Sequence, residues 1–210
     1  MAGPAVGYES YPEVQQLHRS IGGYTTNFSE LISSMRNALE TFLAPPDMEF
    51  VQPDPLLRIL FVSMTAKPIS DAFFAMTGSV AELDERGKAI RRTLRNSVSA
   101  QISFRNDIAH ADWSLGWEIV DTGERVPDTA FKTKSIGGEL QHVNLNMGTN
   151  TIIRNINLLQ ELTESVRLFG EVCRDVQCAR EPKRLHELKI IPAASGVSAR
   201  VHRIRREASS

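Results

Sequence analysis

A short polar segment near the middle of the chain carries residue types suited to acid-base chemistry on a phosphate. It reads Arg105-Asn106-Asp107-Ile108-Ala109-His110. An imidazole with its ordinary pKa of about 6.5 can accept or donate a proton near neutral pH. A guanidinium can hold a phosphate and stabilise the charge that develops on its oxygens. Arg105 and His110 are therefore the first candidates for a functional site.

The spacing of these residues predicts where their side chains lie on a helix. An apolar stripe through Val98 and Ile102 continues at steps of three and four to three further positions, which are Arg105, Asn106 and Ala109. Two polar side chains thus stand where the pattern requires core residues. Asn106 and His110 share a helix face, whereas Arg105 lies about 140° away from His110 around an ideal helix.

The residues alone leave three interpretations open. Arg105 and His110 can face a groove, because burying both without partners would be costly. Alternatively, Arg105 pairs with an acidic residue such as Asp107, and His110 caps the end of its helix. A metal site formed by Asp107, His110 and Asp112 is the weakest interpretation, since these residues fall on different helix faces and lack a fourth ligand. We therefore expect neither a metal nor a cofactor.

Four long helical patterns are predicted. The first runs from Pro12 to the Pro45-Pro46 stop, and Gly22-Gly23 predicts a kink or a close helix crossing within it. The second begins at Asp54-Pro55, is bent or broken at Pro68 and ends at Gly78. The capping box Ser79-Val80-Ala81-Glu82 starts the third near Val80, and it ends around His110. The fourth follows cap candidates Thr149 and Asn150 and runs to about Ala179.

The hydrophobic period changes between the third and fourth helices. Trp117–Val120 and Ala130–Thr133 are predicted to be short strands around the turn at 122–124, forming a hairpin over about residues 115–136. The fold class is therefore mainly α, an elongated four-helix bundle with a short β-hairpin inserted between the third and fourth long helices. Residues 10–180 form this one helical domain, and residues 181–210 are predicted to be a flexible basic tail.

The composition is that of a globular protein, with 41% hydrophobic and 23% charged residues in 210. The net charge is -1, but residues 180–210 carry eight Lys and Arg against three Glu, which leaves -6 on the preceding body. That sign argues against a duplex-DNA binder. Without a leader pattern or a long apolar run, we expect a cytoplasmic protein with no membrane partner. Cys173 and Cys178, five residues apart, are predicted to be reduced thiols.

The segment at the end of the third helix resembles the signature of the HEPN superfamily. Arg105-Asn106 is followed by His110 and then by Trp113, at the end of the third long helix in a pattern of four. This matches the R-x4-6-H motif of that family. Two features depart from the family pattern: Ala111 stands where many relatives have a glycine, and the hairpin is an addition to the simple bundle.

The resemblance implies both an activity and a partner. Many HEPN domains are metal-independent endoribonucleases, some of them toxins or phage-defence effectors, and others are inactive dimers that bind a nucleotide or a protein. In RNA the 2'-hydroxyl can attack the adjacent phosphate, so no metal-bound water is needed. The expected assembly is a homodimer whose two motifs share one cleft, with Arg105, Asn106 and His110 catalytic and Asp107 and Trp113 supporting. An antitoxin is a further expected partner, and an unrelated helical interaction protein is the remaining alternative.

Overall fold

The fold is mainly α, with five helices among the residues that the structure describes. This computed structural model describes residues 11–44, 55–115, 119, 121–124, 129–136, 139–178, 188–192 and 199–203. The helices are α1 Pro12–Leu43, α2 Pro55–Ser63, α3 Ala66–Ser79, α4 Glu85–Ala109 and α5 Thr149–Gln177. A small antiparallel sheet lies between α4 and α5 in chain order. The described residues include no helix that is both long and apolar enough to cross a membrane.

Helix α1 begins and ends close to its predicted bounds, and Gly23 lies against a side chain of α5. A Cβ at Gly23 would lie 3.3 Å from Cδ1 of Ile156 on α5, whereas a Cβ at Gly22 would meet nothing within 4 Å. A side chain at position 23 would therefore be tight against Ile156, and the kink or close helix crossing expected at Gly22-Gly23 stays a prediction. Gly22 is exposed on the same helix, so its lack of a side chain serves no packing contact.

The second predicted helix is two helices, and the break falls earlier than expected. Helix α2 ends at Ser63 and α3 begins at Ala66, so Pro68 lies inside the first turn of α3. The prediction of a bend or break at Pro68 is wrong because the first turn of a helix has no intrahelical partner for its backbone N–H groups, and proline is tolerated there. Helix α2 exposes four large apolar side chains, which are Leu56, Ile59, Leu60 and Val62.

Helix α4 starts later than predicted, at Glu85 rather than near Val80. Asp84 provides the cap, because its Oδ1 accepts a hydrogen bond from the backbone N–H of Gly87 at 2.7 Å. The hydroxyl of Ser79 instead donates to the carbonyl of Ala75 in the preceding helix. The predicted capping box is therefore not used, since its serine belongs to the end of α3.

The sheet contains one strand that was predicted and two that were not. Its strands are β1 Asp112–Ser114, β2 Thr129–Ile136 and β3 Glu139–Asn144, paired antiparallel in the order β1-β2-β3. The predicted strand Ala130–Thr133 lies in β2. Of the predicted strand Trp117–Val120, only Ile119 is described, and it is not in a strand. The predicted turn is present, with Gly123 at φ 66° and its N–H donating to the carbonyl of Ile119.

The chain divides into two compact units, each with its own buried side chains. One contains Met1–Asn27 and Ser103–Asn157, and its core includes Leu17, Tyr24, Ile108 and Ile152. The other contains Phe28–Ile102 and Leu158–Ser210, and its core includes Leu31, Met35, Phe73, Leu94 and Phe169. In this second unit Phe42 stacks on Phe73 with ring centroids 6.3 Å apart.

The end of α1 is held by side chains from the end of α5. Arg174 Nη1 donates to the carbonyl of Ala44 at 3.0 Å, and Gln177 Nε2 donates to the carbonyl of Phe42 at 3.1 Å. Both carbonyls lie at a helix C-terminus, where no intrahelical donor is available. These two bonds also fix the last turn of α5, which was predicted to end two residues later.

Two strands lie within the predicted basic tail. They are β4 Leu188–Pro192 and β5 Ala199–Arg203, and they pair antiparallel with each other. The other residues of the tail, 181–187, 193–198 and 204–210, lie outside the described residues. That the tail is flexible stays a prediction.

Candidate functional site

The candidate motif occupies the last five residues of α4 and the residue that follows. Ile108 is buried at 8% exposure, whereas Arg105, Asn106, Ala109 and His110 are exposed. The prediction that Arg105 and Asn106 continue the apolar stripe is therefore wrong. The core-facing stripe passes instead through Phe104 and Ile108, which leaves the polar side chains on another face.

Asp107 forms an ion pair across to the sheet rather than with the motif arginine. Lys132 on β2 places its Nζ 2.7 Å from Asp107 Oδ1, and the side chains of Lys132 and Asp107 are 17% and 35% exposed. The same Nζ donates to the backbone carbonyl of Asn106 at 3.2 Å. An ammonium group at this end of a helix is favourable, because the unpaired carbonyls there carry partial negative charge. Lys132 thus fixes the end of α4 against the sheet.

Arg105 has no carboxylate partner within the described part of the chain. It forms no ion pair there, and its Nη1 lies 3.5 Å from Asn106 Oδ1, at the long limit of a hydrogen bond. The interpretation in which Arg105 pairs with Asp107 is therefore wrong. The guanidinium and the neighbouring amide both face solvent, so both can contact a ligand.

His110 ends the helix through its backbone. Its N–H donates to the carbonyl of Asn106 at 3.1 Å, and its exposed imidazole makes no hydrogen bond with any described residue. The interpretation of His110 as a side-chain cap is not supported by any such contact. The carbonyl of Asn106 accepts from both His110 and Lys132, so the backbone beneath the motif is held from two sides.

A buried tyrosine lies close to the motif arginine. Tyr24 on α1 is fully buried, and its ring meets that of Phe104 edge to face with centroids 5.2 Å apart. Burial raises the pKa of the Tyr24 hydroxyl well above its usual range, and the positive charge of Arg105 partly opposes that shift. The ring contact between Tyr24 and Phe104, next to Arg105 in sequence, packs this part of α4 against α1.

The residues after the motif lead directly into the sheet. Asp112 and Trp113 are in β1, where they pair with Phe131 and Ala130 of β2. Trp113 is half-buried and Asp112 is exposed. Among the described residues, no three His, Cys, Asp or Glu side chains are gathered closely enough to hold a metal ion. Asp107, His110 and Asp112 therefore do not converge as the metal interpretation required.

Two residues at the site were missed by the sequence analysis, Lys132 and Tyr24. Lys132 was predicted to be in a strand, but the pattern of a strand does not say which helix its side chain will reach. Tyr24 is on α1, and its contact with Phe104, the residue before Arg105, was not predictable from spacing along either helix. Both are tertiary contacts between segments far apart in sequence.

Comparison with known proteins identified no similar protein. The searches against protein-family models, curated proteins and solved structures each found no significant match.

Proposed function

We propose that this protein is a metal-independent endoribonuclease of the HEPN type, acting as a toxin or phage-defence effector. The observation that supports the proposal best is the pairing of Asp107 with Lys132. This pairing occupies the carboxylate of the motif itself, and Arg105 and His110 are exposed and available to a substrate. A structural role for the two residues would instead bury or pair them.

The proposed reaction uses the 2'-hydroxyl of RNA as the nucleophile. An imidazole removes the proton from this hydroxyl, whose oxygen attacks the adjacent phosphorus, and the bond to the 5'-oxygen of the next nucleotide breaks. A proton is delivered to that leaving oxygen, and the product carries a 2',3'-cyclic phosphate. The guanidinium of Arg105 stabilises the charge that develops on the phosphate oxygens, and Asn106 orients the phosphate.

One copy of the motif has too few groups for both proton transfers. A single imidazole cannot act as base and acid in the same step, and the motif itself contains no second histidine. We therefore propose a homodimer in which two motifs share one cleft, each supplying His110 and Arg105. An antitoxin that binds this cleft is part of the same proposal.

The decisive experiment is an RNA cleavage assay with purified protein. His110→Ala and Arg105→Ala should each lower the cleavage rate by about 100-fold or more. The matched controls His18→Ala and Arg154→Ala, exposed residues on α1 and α5, should cleave at the wild-type rate. Cleavage should persist in a chelator and should spare DNA of the same sequence, which lacks the 2'-hydroxyl. Intact RNA in the wild-type sample would favour an inactive dimeric binding module instead.

Subunit mixing tests the shared cleft separately. Wild-type and His110→Ala chains are unfolded together and refolded at varied ratios, so that mixed dimers form. If both imidazoles are required, activity should fall as the square of the wild-type fraction. A linear fall would show that each subunit acts alone, and light scattering that reports a monomer would refute the dimer directly.

A further inference from the structure

A second cluster of cationic side chains lines a groove between α3 and α4. The groove has a volume of about 770 Å³. It is lined by four cationic side chains, Lys88, Arg91, Arg92 and Arg95, and by only two carboxylates, Asp71 and Glu85. All of these residues belong to the same compact unit of the chain. The groove therefore carries an excess of positive charge in a body whose overall balance is acidic.

The two carboxylates are already occupied by other cations. Glu85 pairs with Lys88 at 2.7 Å, and Asp71 pairs with Lys67 and more distantly with Arg95 at 3.7 Å. Arg91 and Arg92 form no ion pair with any described residue. Two guanidinium groups in the groove thus lack a counter-charge from the part of the chain that the structure describes.

The backbone of α3 makes room for one of these guanidinium groups. A Cβ added at Gly78 would lie 1.9 Å from Arg91 Nη1 and 3.1 Å from its Cζ. Arg91 therefore rests directly against the helix at Gly78, where every other residue type would displace it. Arg92 is the next residue on α4 and is exposed at the groove. The groove thus has one donor that is half-buried against Gly78 and a second that is exposed.

We propose that this groove binds the backbone phosphates of single-stranded RNA through Arg91 and Arg92, an inference that rests on RNA being the substrate of the proposed function. A guanidinium presents parallel N–H donors that match the oxygens of a phosphate. A cationic groove that follows the backbone is also the general means by which proteins bind single strands without sequence preference. The groove binds the RNA, and the proposed cleavage is assigned to His110.

Three substitutions test the groove in a His110→Ala background, in which the proposed chemistry is removed. Arg92→Glu reverses an exposed charge. Gly78→Ala displaces the guanidinium of Arg91 without changing the net charge, and its clash is with the flexible end of a side chain. Arg19→Glu, an exposed residue on α1 outside the groove, is the matched control for charge. Circular dichroism and thermal melts confirm that each variant is folded.

The measurement is the anisotropy of a fluorescein-labelled single-stranded RNA titrated at several salt concentrations. Arg92→Glu should weaken binding by about tenfold or more. It should also reduce the slope of log affinity against log salt by about 0.7 for each phosphate that the protein no longer neutralises. Gly78→Ala should weaken binding by about threefold, because the displaced Arg91 would form a weaker charge-assisted hydrogen bond. Arg19→Glu should bind as the reference does.

Unchanged affinity in both groove variants would overturn the inference, as would an equal loss in Arg19→Glu. The RNA-binding measurement and the cleavage assay can fail independently of each other. A protein that binds RNA through Arg92 but cuts nothing with His110 intact would refute the endoribonuclease and leave the groove as an RNA-binding surface. Cleavage that depends on His110, together with normal binding by Arg92→Glu, would retain the enzyme and refute the groove.

Discussion

The ammonium of Lys132 lies 2.7 Å from Asp107 Oδ1 and 3.2 Å from the carbonyl oxygen of Asn106. One side chain from β2 therefore neutralises the acidic residue of the motif and satisfies a carbonyl at the end of α4. This arrangement separates two tasks within six consecutive residues. Asp107 and Ile108 attach the helix to the rest of the protein, while Arg105 and His110 stay exposed.

Replacing Lys132 with methionine should destabilise the protein by about 1–2 kcal/mol, because a partly buried carboxylate loses a charged partner and a carbonyl loses a donor. For a chain of this size that corresponds to a melting temperature about 2–8 °C lower. Chemical denaturation measures the change. The double variant with Asp107→Asn should recover part of the loss. Strictly additive effects would show that the two side chains do not interact.

Asp84→Ala should lower the free energy of unfolding by about 1 kcal/mol, because the first turn of α4 loses its side-chain cap. Ser79→Ala is the matched control, since the Ser79 hydroxyl bonds within α3 and is exposed. It should change stability by less than about 0.5 kcal/mol. Urea unfolding distinguishes the two, and a larger effect at Ser79 would restore the capping box that the sequence predicted.

Gly22→Ala should stabilise the protein by about 0.5–1 kcal/mol, because Gly22 is an exposed glycine inside a long helix with open space beside it. Gly23→Leu should instead destabilise it by about 1–3 kcal/mol, since its side chain would meet Ile156. The adjacent positions differ only in what lies beside them. Gly22→Leu is the matched control, and a loss of stability in thermal unfolding equal to that of Gly23→Leu would refute the contact between position 23 and Ile156.

The two thiols should react at very different rates. Both are free, but Cys173 is buried and Cys178 is partly exposed. Burial raises the pKa of the Cys173 thiol to about 12, so little reactive thiolate forms in the folded protein. In a thiol-labelling assay, Cys178 should react first and Cys173 only after denaturant is added. Rapid labelling of Cys173, identified by mass spectrometry, would contradict its burial.

The same shift predicts a loss of stability in alkali. A thiol in the unfolded chain releases its proton at a pH of about 8.5, whereas the folded state keeps it until about 12. Between those values the unfolded state binds fewer protons, so the free energy of unfolding falls as the pH rises. Tyr24 acts in the same direction above its ordinary range, because its pKa is also raised by burial. Denaturation midpoints measured across that range should decrease steadily, and a constant midpoint would refute the shift.

The long helices were predictable because their apolar periodicity extends over many turns. Helices α1 and α5 begin and end within two or three residues of the predicted bounds. The errors occur where short-range signals compete. Ser79 and Asp84 are both good caps, and only the packing of α3 decides between them. Strand β3 was missed because its exposed residues alternate with few apolar ones, so only pairing with β2 identifies it.

The candidate site was predictable in composition but not in orientation. Arg105, Asn106 and His110 were singled out by type and spacing, and the structure places all three on exposed surface. The apolar stripe did not show which face of α4 they occupy. After Ile102 it can be continued either to Ala109 or to Ile108, and the two choices place Arg105 and Asn106 on different faces. The neighbouring Lys132 comes from a segment 25 residues away from Asp107, a separation over which sequence pattern does not predict which side chains meet.

Neither compact unit is a continuous piece of chain, so neither can be completed early during synthesis on the ribosome. The unit that contains the motif needs Met1–Asn27 together with Ser103–Asn157, and the other needs residues of α5 beyond that point. In that second unit, the hydrogen bonds from Arg174 to Ala44 and from Gln177 to Phe42 join residues that are 130 and 135 positions apart in sequence. Nascent α1 must therefore wait, with part of its apolar face uncovered, until α5 has emerged. Such late, long-range closure slows folding and leaves the nascent chain dependent on protection from aggregation.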